Sequence, residues 1–185
     1  MDPELTEIVG MLIAVAIGAV VIVATILLLA RQRLEQGWRK TQQQRDLLYG
    51  RLKNQGLLVH QFIETANHRL ANERGSLEIL GRRQIKVATG RTPSEKAAAT
   101  IELNGHLEQL ISTADSDPGL AGLSEYEALR EKIEQAVDDI ARAAANYNEI
   151  VDAYNKQASS FFGRLYGSLQ ADKFDASANR RAGRL

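Results

Sequence analysis

Cysteine is absent from the 185 residues, which excludes disulfides, thiolate metal sites and cysteine nucleophiles. Proline occurs only three times, and none lies between Pro3 and Pro93, so nothing in that stretch forces a helix to stop. Basic residues are missing from positions 1–30, which hold Asp2, Glu4 and Glu7. No Gly-rich phosphate loop, G-x-S-x-G elbow, Ser-x-x-Lys or kinase set is present. Strand-like alternation of apolar and polar residues is lacking as well. These absences leave a helical, non-enzymatic protein with no cofactor as the expectation.

Net charge is zero, but its distribution is uneven. Residues 31–91 carry 13 Lys and Arg against 5 Asp and Glu, whereas residues 92–185 carry 10 against 15. A basic half beside an acidic half favours pairing between segments or subunits. The basic charge is interspersed with Gln and Leu next to an apolar segment, so lipid headgroups explain it better than nucleic acid.

That apolar segment is Ile8 to Ala30, "IVGMLIAVAIGAVVIVATILLLA", with no charged residue. As a helix at about 1.5 Å per residue it is ~34 Å long, enough to cross a ~30 Å hydrocarbon core. A cleaved signal peptide would need a basic start and a shorter apolar core. Arg31, Arg33, Arg39 and Lys40 follow the run directly, and the positive-inside rule places the N-terminus outside and the rest in the cytoplasm. Gly10, Ala14 and Gly18 form a small-xxx-small strip of the kind that lets two helices approach closely, although such residues are common in any membrane helix.

From Leu34 onward, apolar residues recur at helical spacing, and the pattern predicts one long helix to about Ala88, with Gly50, Gly56, Gly75 or Gly81 as places for a bend. Thr92, Pro93 and Glu95 form a capping box opening a second helix, Pro93 to Thr113, that buries Ala97, Ile101, Leu107, Leu110 and Ile111. Ser124 and Glu127 suggest a second box. The third helix carries a heptad seam: Ile133, Ile140, Tyr147, Tyr154 and Phe161 at d, with Val137, Ala144, Val151 and Ala158 at a. Asn148 and Asn155 flank the seam, where an amide can fix register between helices.

Other polar groupings have plain structural readings. His60, Glu64 and His68 lie at i, i+4 and i+8, but about 12 Å of helix separates the ends, too far for one metal ion, and a surface pair is expected instead. His106 has no evident partner. Asp115 and Asp117 sit in a turn, and Asp138 and Asp139 on an outer face.

The late pattern Tyr-Asn-x-x-Val-x-x-Tyr-Asn followed by Phe, carried by Tyr147, Asn148, Val151, Tyr154, Asn155 and Phe161, resembles the LemA family. Trp38, Tyr49, Asn54, Val59 and Phe62 are similar in spacing to that family's earlier block. The chain departs from the family at Leu47-Leu48 (a paired Arg), Gly50 (Asp), Lys53 (Pro), Phe161-Phe162 (Phe-Pro) and "GLAGLSEYEAL" before the third helix. The resemblance implies a helical cytoplasmic domain on one membrane span with no established enzymatic activity. It also implies a setting in membrane-associated stress proteolysis or membrane biogenesis, as in magnetosome formation.

Together these give an all-α protein: a short external N-terminus (1–7), a transmembrane helix (8–30) continuing into an elongated cytoplasmic antiparallel helical bundle (31–168), and a basic tail (169–185) whose Arg180, Arg181 and Arg184 can touch acidic lipid or an acidic neighbour. The expected partners are the bilayer of the bacterial inner membrane and further copies of the chain. The expected function is a self-assembling scaffold for membrane organisation or remodelling, with an adaptor for a membrane protease or other client as the alternative.

Overall fold

The computed structural model describes residues 3–67, 69–167 and 169–175. Helix α1, Pro3–Asn67, runs 65 residues without a break, about 97 Å at the standard rise. Its N-terminal part is long and apolar enough to cross a membrane, and the residues of its apolar window are unburied. From Leu34 onward the same helix enters the domain, burying Leu48, Leu52, Val59, Phe62 and Ala66 on one side.

Four helices make the bundle. α2 (Arg74–Thr89) turns back along α1, α3 (Pro93–Asp115) returns parallel to α1, and α5 (Ser124–Ala158) descends antiparallel to it. The short α4 (Pro118–Ala121) turns the chain between α3 and α5, and α6 (Phe161–Leu165) follows α5. Cross-helix contacts fix the directions. Gln44 meets Asn146, Arg51 pairs with Asp139, and Phe62 lies against Tyr126, so α1 and α5 are antiparallel. Gln55 meets Asn104 while Tyr49 meets Lys96, so α1 and α3 run together.

The first helix stops at Asn67 instead of continuing to Ala88. The amides of Arg69 and Leu70 both close on the Ala66 carbonyl, and a 3-10 turn, Ala71–Glu73, reverses the chain. Leu70 and Leu77 are buried on either side of the reversal, so the apolar spacing survives a change of direction. α2 approaches α1 closely at Gly56, whose carbonyl accepts from Gln84 Nε2 at 2.6 Å and where a Cβ would crowd that amide.

Several local expectations are met and several are corrected. Thr92 accepts from the Glu95 amide, but the Glu95 carboxylate reaches the Arg91 amide, one residue before the cap. α5 starts after Leu123 with no side-chain cap, so the Ser124 box does not form. Ile101 faces outward. Asp117 caps α4, and Asp115 instead accepts from the buried Tyr126 hydroxyl and pairs with Arg130. Asp139 is held by Arg142 and by Arg51 across the helix pair, which lowers its carboxyl below the ordinary value. His60 pairs with Glu64, His106 meets the Ser76 carbonyl, and His68 lies outside the described residues. Of the span's small strip, the surroundings of Gly10 and Ala14 lie outside them too.

The α2–α3 hairpin ends at Gly90–Thr92, level with Tyr49 on α1. α1 and α5 continue beyond it as a pair towards the apolar segment, and over that stretch α2 and α3 no longer cover α5. What takes their place is the segment that follows α6.

Candidate functional site

Residues 169–174 lie in extended form along α5, antiparallel to it, and four side chains of one helix face hold their main chain. The Tyr154 hydroxyl donates to the Leu169 carbonyl at 3.0 Å, and the Tyr147 hydroxyl donates to the Asp172 carbonyl at 2.7 Å. Asn155 donates to the Ala171 carbonyl at 2.9 Å while its own carbonyl accepts from the Ala171 amide at 2.7 Å. Asn148 treats Phe174 in the same way, at 3.1 and 2.8 Å. Each asparagine amide thus offers the donor and acceptor that a neighbouring β-strand would offer.

The geometry explains the repeat in the sequence. Seven residues of α-helix climb ~10.5 Å, and three residues of extended chain climb about 9–10 Å. Tyr-Asn pairs seven apart therefore match main-chain groups three apart. Side chains of the strap add weaker ties: Lys173 pairs with Asp152, Asp172 accepts from Ser94 at the start of α3, and Ala171 and Phe174 pack on the core.

α1 supplies the far wall. Trp38 lies against Tyr154 with ring centroids 5.5 Å apart, and Gly37 leaves room for the Tyr154 ring. Tyr49 is half-buried beneath Lys96 Nζ, 5.0 Å from its ring centre, and Arg45 approaches the same ring. The Lys96 ammonium donates to the last carbonyls of α2, Val87 and Ala88. Burial lowers the Lys96 pKa.

Burial, with Tyr49 and Asp172 adding to it, pushes the Tyr147 phenol up to about 12, and burial raises Tyr154 as well. A raised phenol stabilises the folded state fully below its ordinary value near 10, and that contribution is lost as pH rises through the folded value. The strap is therefore expected to release between about pH 10 and 12. Tyrosinate absorbance, compared with a Tyr147→Phe variant, reads this directly. A Tyr147 that ionises near pH 10 with the strap still docked would contradict it.

The clasp gathers Tyr147, Asn148, Tyr154 and Asn155, with Val151 buried between them and Trp38 and Tyr49 opposite. Three other residues lie away from it. Phe62 is buried at the other end of the bundle and Asn54 is exposed on α1. Phe161, expected on the seam, is 75% exposed because α5 ends at Ala158 and the chain turns into α6. The asparagines, expected to set register between helices, bind the chain's own strap. Residues 169–174, the start of the basic tail, are held against the domain, while Arg180, Arg181 and Arg184 lie outside the described residues. Arg31 pairs with Glu35, and Arg33, Arg39 and Lys40 are exposed.

Chemically the clasp is a main-chain reader. Its donors and acceptors are neutral and already satisfied, which suits holding a peptide segment. Among the described residues, no three His, Cys, Asp or Glu side chains gather as a metal set.

No curated protein matches the chain in sequence. A scan against protein families matches residues 49–181 to the LemA family. The match spans α1 from Tyr49, the other helices of the bundle and the Tyr-Asn pairs with their strap. The N-terminal apolar helix and this domain together fit a membrane-anchored helical protein, and the chain belongs to the LemA family.

Proposed function

We propose that the protein is a non-enzymatic, single-pass scaffold of the bacterial inner membrane that assembles through the α1 helix of each copy. The supporting observation is a seam on α1 that the bundle leaves uncovered. Gln43, Leu47, Gly50, Asn54, Leu57 and Gln61 follow one another at alternating steps of four and three, all exposed and none charged. Leu47 and Leu57 are 61% and 59% exposed. This is the a/d spacing of a coiled coil, with Asn54 at an a position where a polar residue selects register and oligomer state. At Gly50 a Cβ would meet nothing within 4 Å, so a second helix has room to approach there.

Two copies inserted in one membrane in the same orientation have parallel α1 helices, which sets Asn54 opposite its counterpart. At 100° per residue, Gly18 of the apolar segment projects within about 20° of Leu47, on the same side of the helix. Arg31, Arg33, Arg39 and Lys40 support a cytoplasmic domain.

Light scattering on the detergent-solubilised full chain is expected to give a defined oligomer. Leu47→Glu with Leu57→Glu should shift it to monomer at micromolar concentration with helix content unchanged. A wild-type monomer at that concentration sinks the proposal, and a monomer that co-purifies with a stoichiometric membrane protein favours an adaptor instead.

A further inference from the structure

We propose that α6 and its flanks form a second membrane contact, a wedge lying in the interface of the same leaflet from which α1 emerges. This rests on the reading of α1 as a membrane span. Three observations converge on it.

The first is position. The Tyr166 hydroxyl donates to the Leu27 carbonyl at 3.0 Å. Leu27 lies four residues before Arg31, about 6 Å to the apolar side of the first basic residue. The turn after α5 therefore reaches alongside the apolar run itself.

The second is composition. Phe161, Leu165 and Leu169 are 75%, 58% and 78% exposed, with Tyr166 beside them. Between Lys156 and Asp172 there is no carboxylate, and Arg164 is the one charged residue. Apolar side chains with a tyrosine and flanking cations are the make-up of an interfacial segment. In water this surface would extend an apolar patch already formed by α1, whereas a bilayer around α1 covers both.

The third is the shape of the tip. α6 folds tightly back on α5, because a methyl group at Gly163 would overlap the carbonyls of Gln157 and Ala158. Gly167 then turns the chain with φ of 63°, a conformation that favours glycine. Between α1 and the end of α5 lies an open cleft of about 540 Å³, lined by Ile26 and Leu29 of the apolar run and by the cations Arg33 and Lys156. Its apolar side chains suit an acyl chain and its two cations an anionic phosphate.

The occupant is thus the bilayer, with acidic lipid preferred beside Arg33 and Lys156. The chain has no cysteine, so single-cysteine variants take a nitroxide label cleanly. The full chain would be reconstituted in vesicles of phosphatidylcholine and phosphatidylglycerol. Collision of the label with oxygen is then compared with collision with a water-soluble nickel chelate. Phe161→Cys, Leu165→Cys and Leu169→Cys are expected to favour oxygen, as Val20→Cys in the span does, while Glu131→Cys on the far part of α5 favours nickel.

Nickel-favoured labels at 161, 165 and 169 with an oxygen-favoured label at 20 overturn the wedge and leave the span standing. Labels there shielded from both reagents show a second protein surface covering the tip, which also overturns it. A nickel-favoured label at 20 removes the span and the wedge together.

Discussion

Tyr147→Ala is expected to destabilise the domain by about 3–5 kcal/mol, the range for removing a buried large aromatic side chain. The ring is 2% exposed and fills the space between α1, α5 and the strap. Its hydroxyl is the tie to the Asp172 carbonyl. The loss therefore combines a cavity, a broken hydrogen bond and a strap held by fewer contacts. Tyr147→Phe separates these contributions, since it keeps the ring and removes the hydroxyl. About 1 kcal/mol is expected there, the net worth of one hydrogen bond. Thermal unfolding of the detergent-solubilised protein, followed by helical circular dichroism, measures both. An alanine variant within 1 kcal/mol of wild type would mean that the ring does not pack as described.

The second large effect is local. Asn148→Ala together with Asn155→Ala removes four hydrogen bonds to the strap. At a net 0.5–1.5 kcal/mol each, about 2–6 kcal/mol of docking is lost. The helices themselves keep their packing, because both asparagines sit at the edge of the core with only intermediate burial. The amides of Ala171 and Phe174 should therefore exchange with solvent much faster in the double variant. Amides in the middle of α5 should stay protected, as a local opening leaves the global unfolding free energy in place. Unchanged protection at 171 and 174 would show that side-chain packing, and not the asparagines, holds the strap. The tyrosine and asparagine variants thus divide the clasp into a part that supports the fold and a part that holds the strap down.

The helices were legible because each is amphipathic and the heptad positions of α5 carry through. Ile133, Ile140, Tyr147, Val151, Tyr154 and Ala158 are all buried. The end of α1 was not legible. No proline or glycine marks Asn67–Leu70, and Leu70 and Leu77 keep helical spacing across a reversal. Phe161 continued the heptad in sequence, but Gly163 packs against the end of α5, so Phe161 begins a new element outside the core. The clasp was half legible. Its side chains repeat at a helical interval that drew notice, but the strap contributes main-chain groups, which leave no residue signature. Leu169, Ala171, Asp172 and Phe174 have no common chemistry, and only their spacing matters.

The clasp works like a gear that meshes seven teeth with three. One rung alone would accept any register, whereas two rungs accept only a strap of fixed pitch. Substituting Asp172 or Lys173 leaves that pitch unchanged. Deleting either residue brings the main chain of Asp175 opposite Asn148, and inserting one brings that of Lys173, so both rungs can still form while the Phe174 side chain is moved from its place on the core. The strap should therefore keep its main-chain rungs through changes of composition and of length alike, and a one-residue deletion there should lose the packing of Phe174 while leaving the clasp engaged.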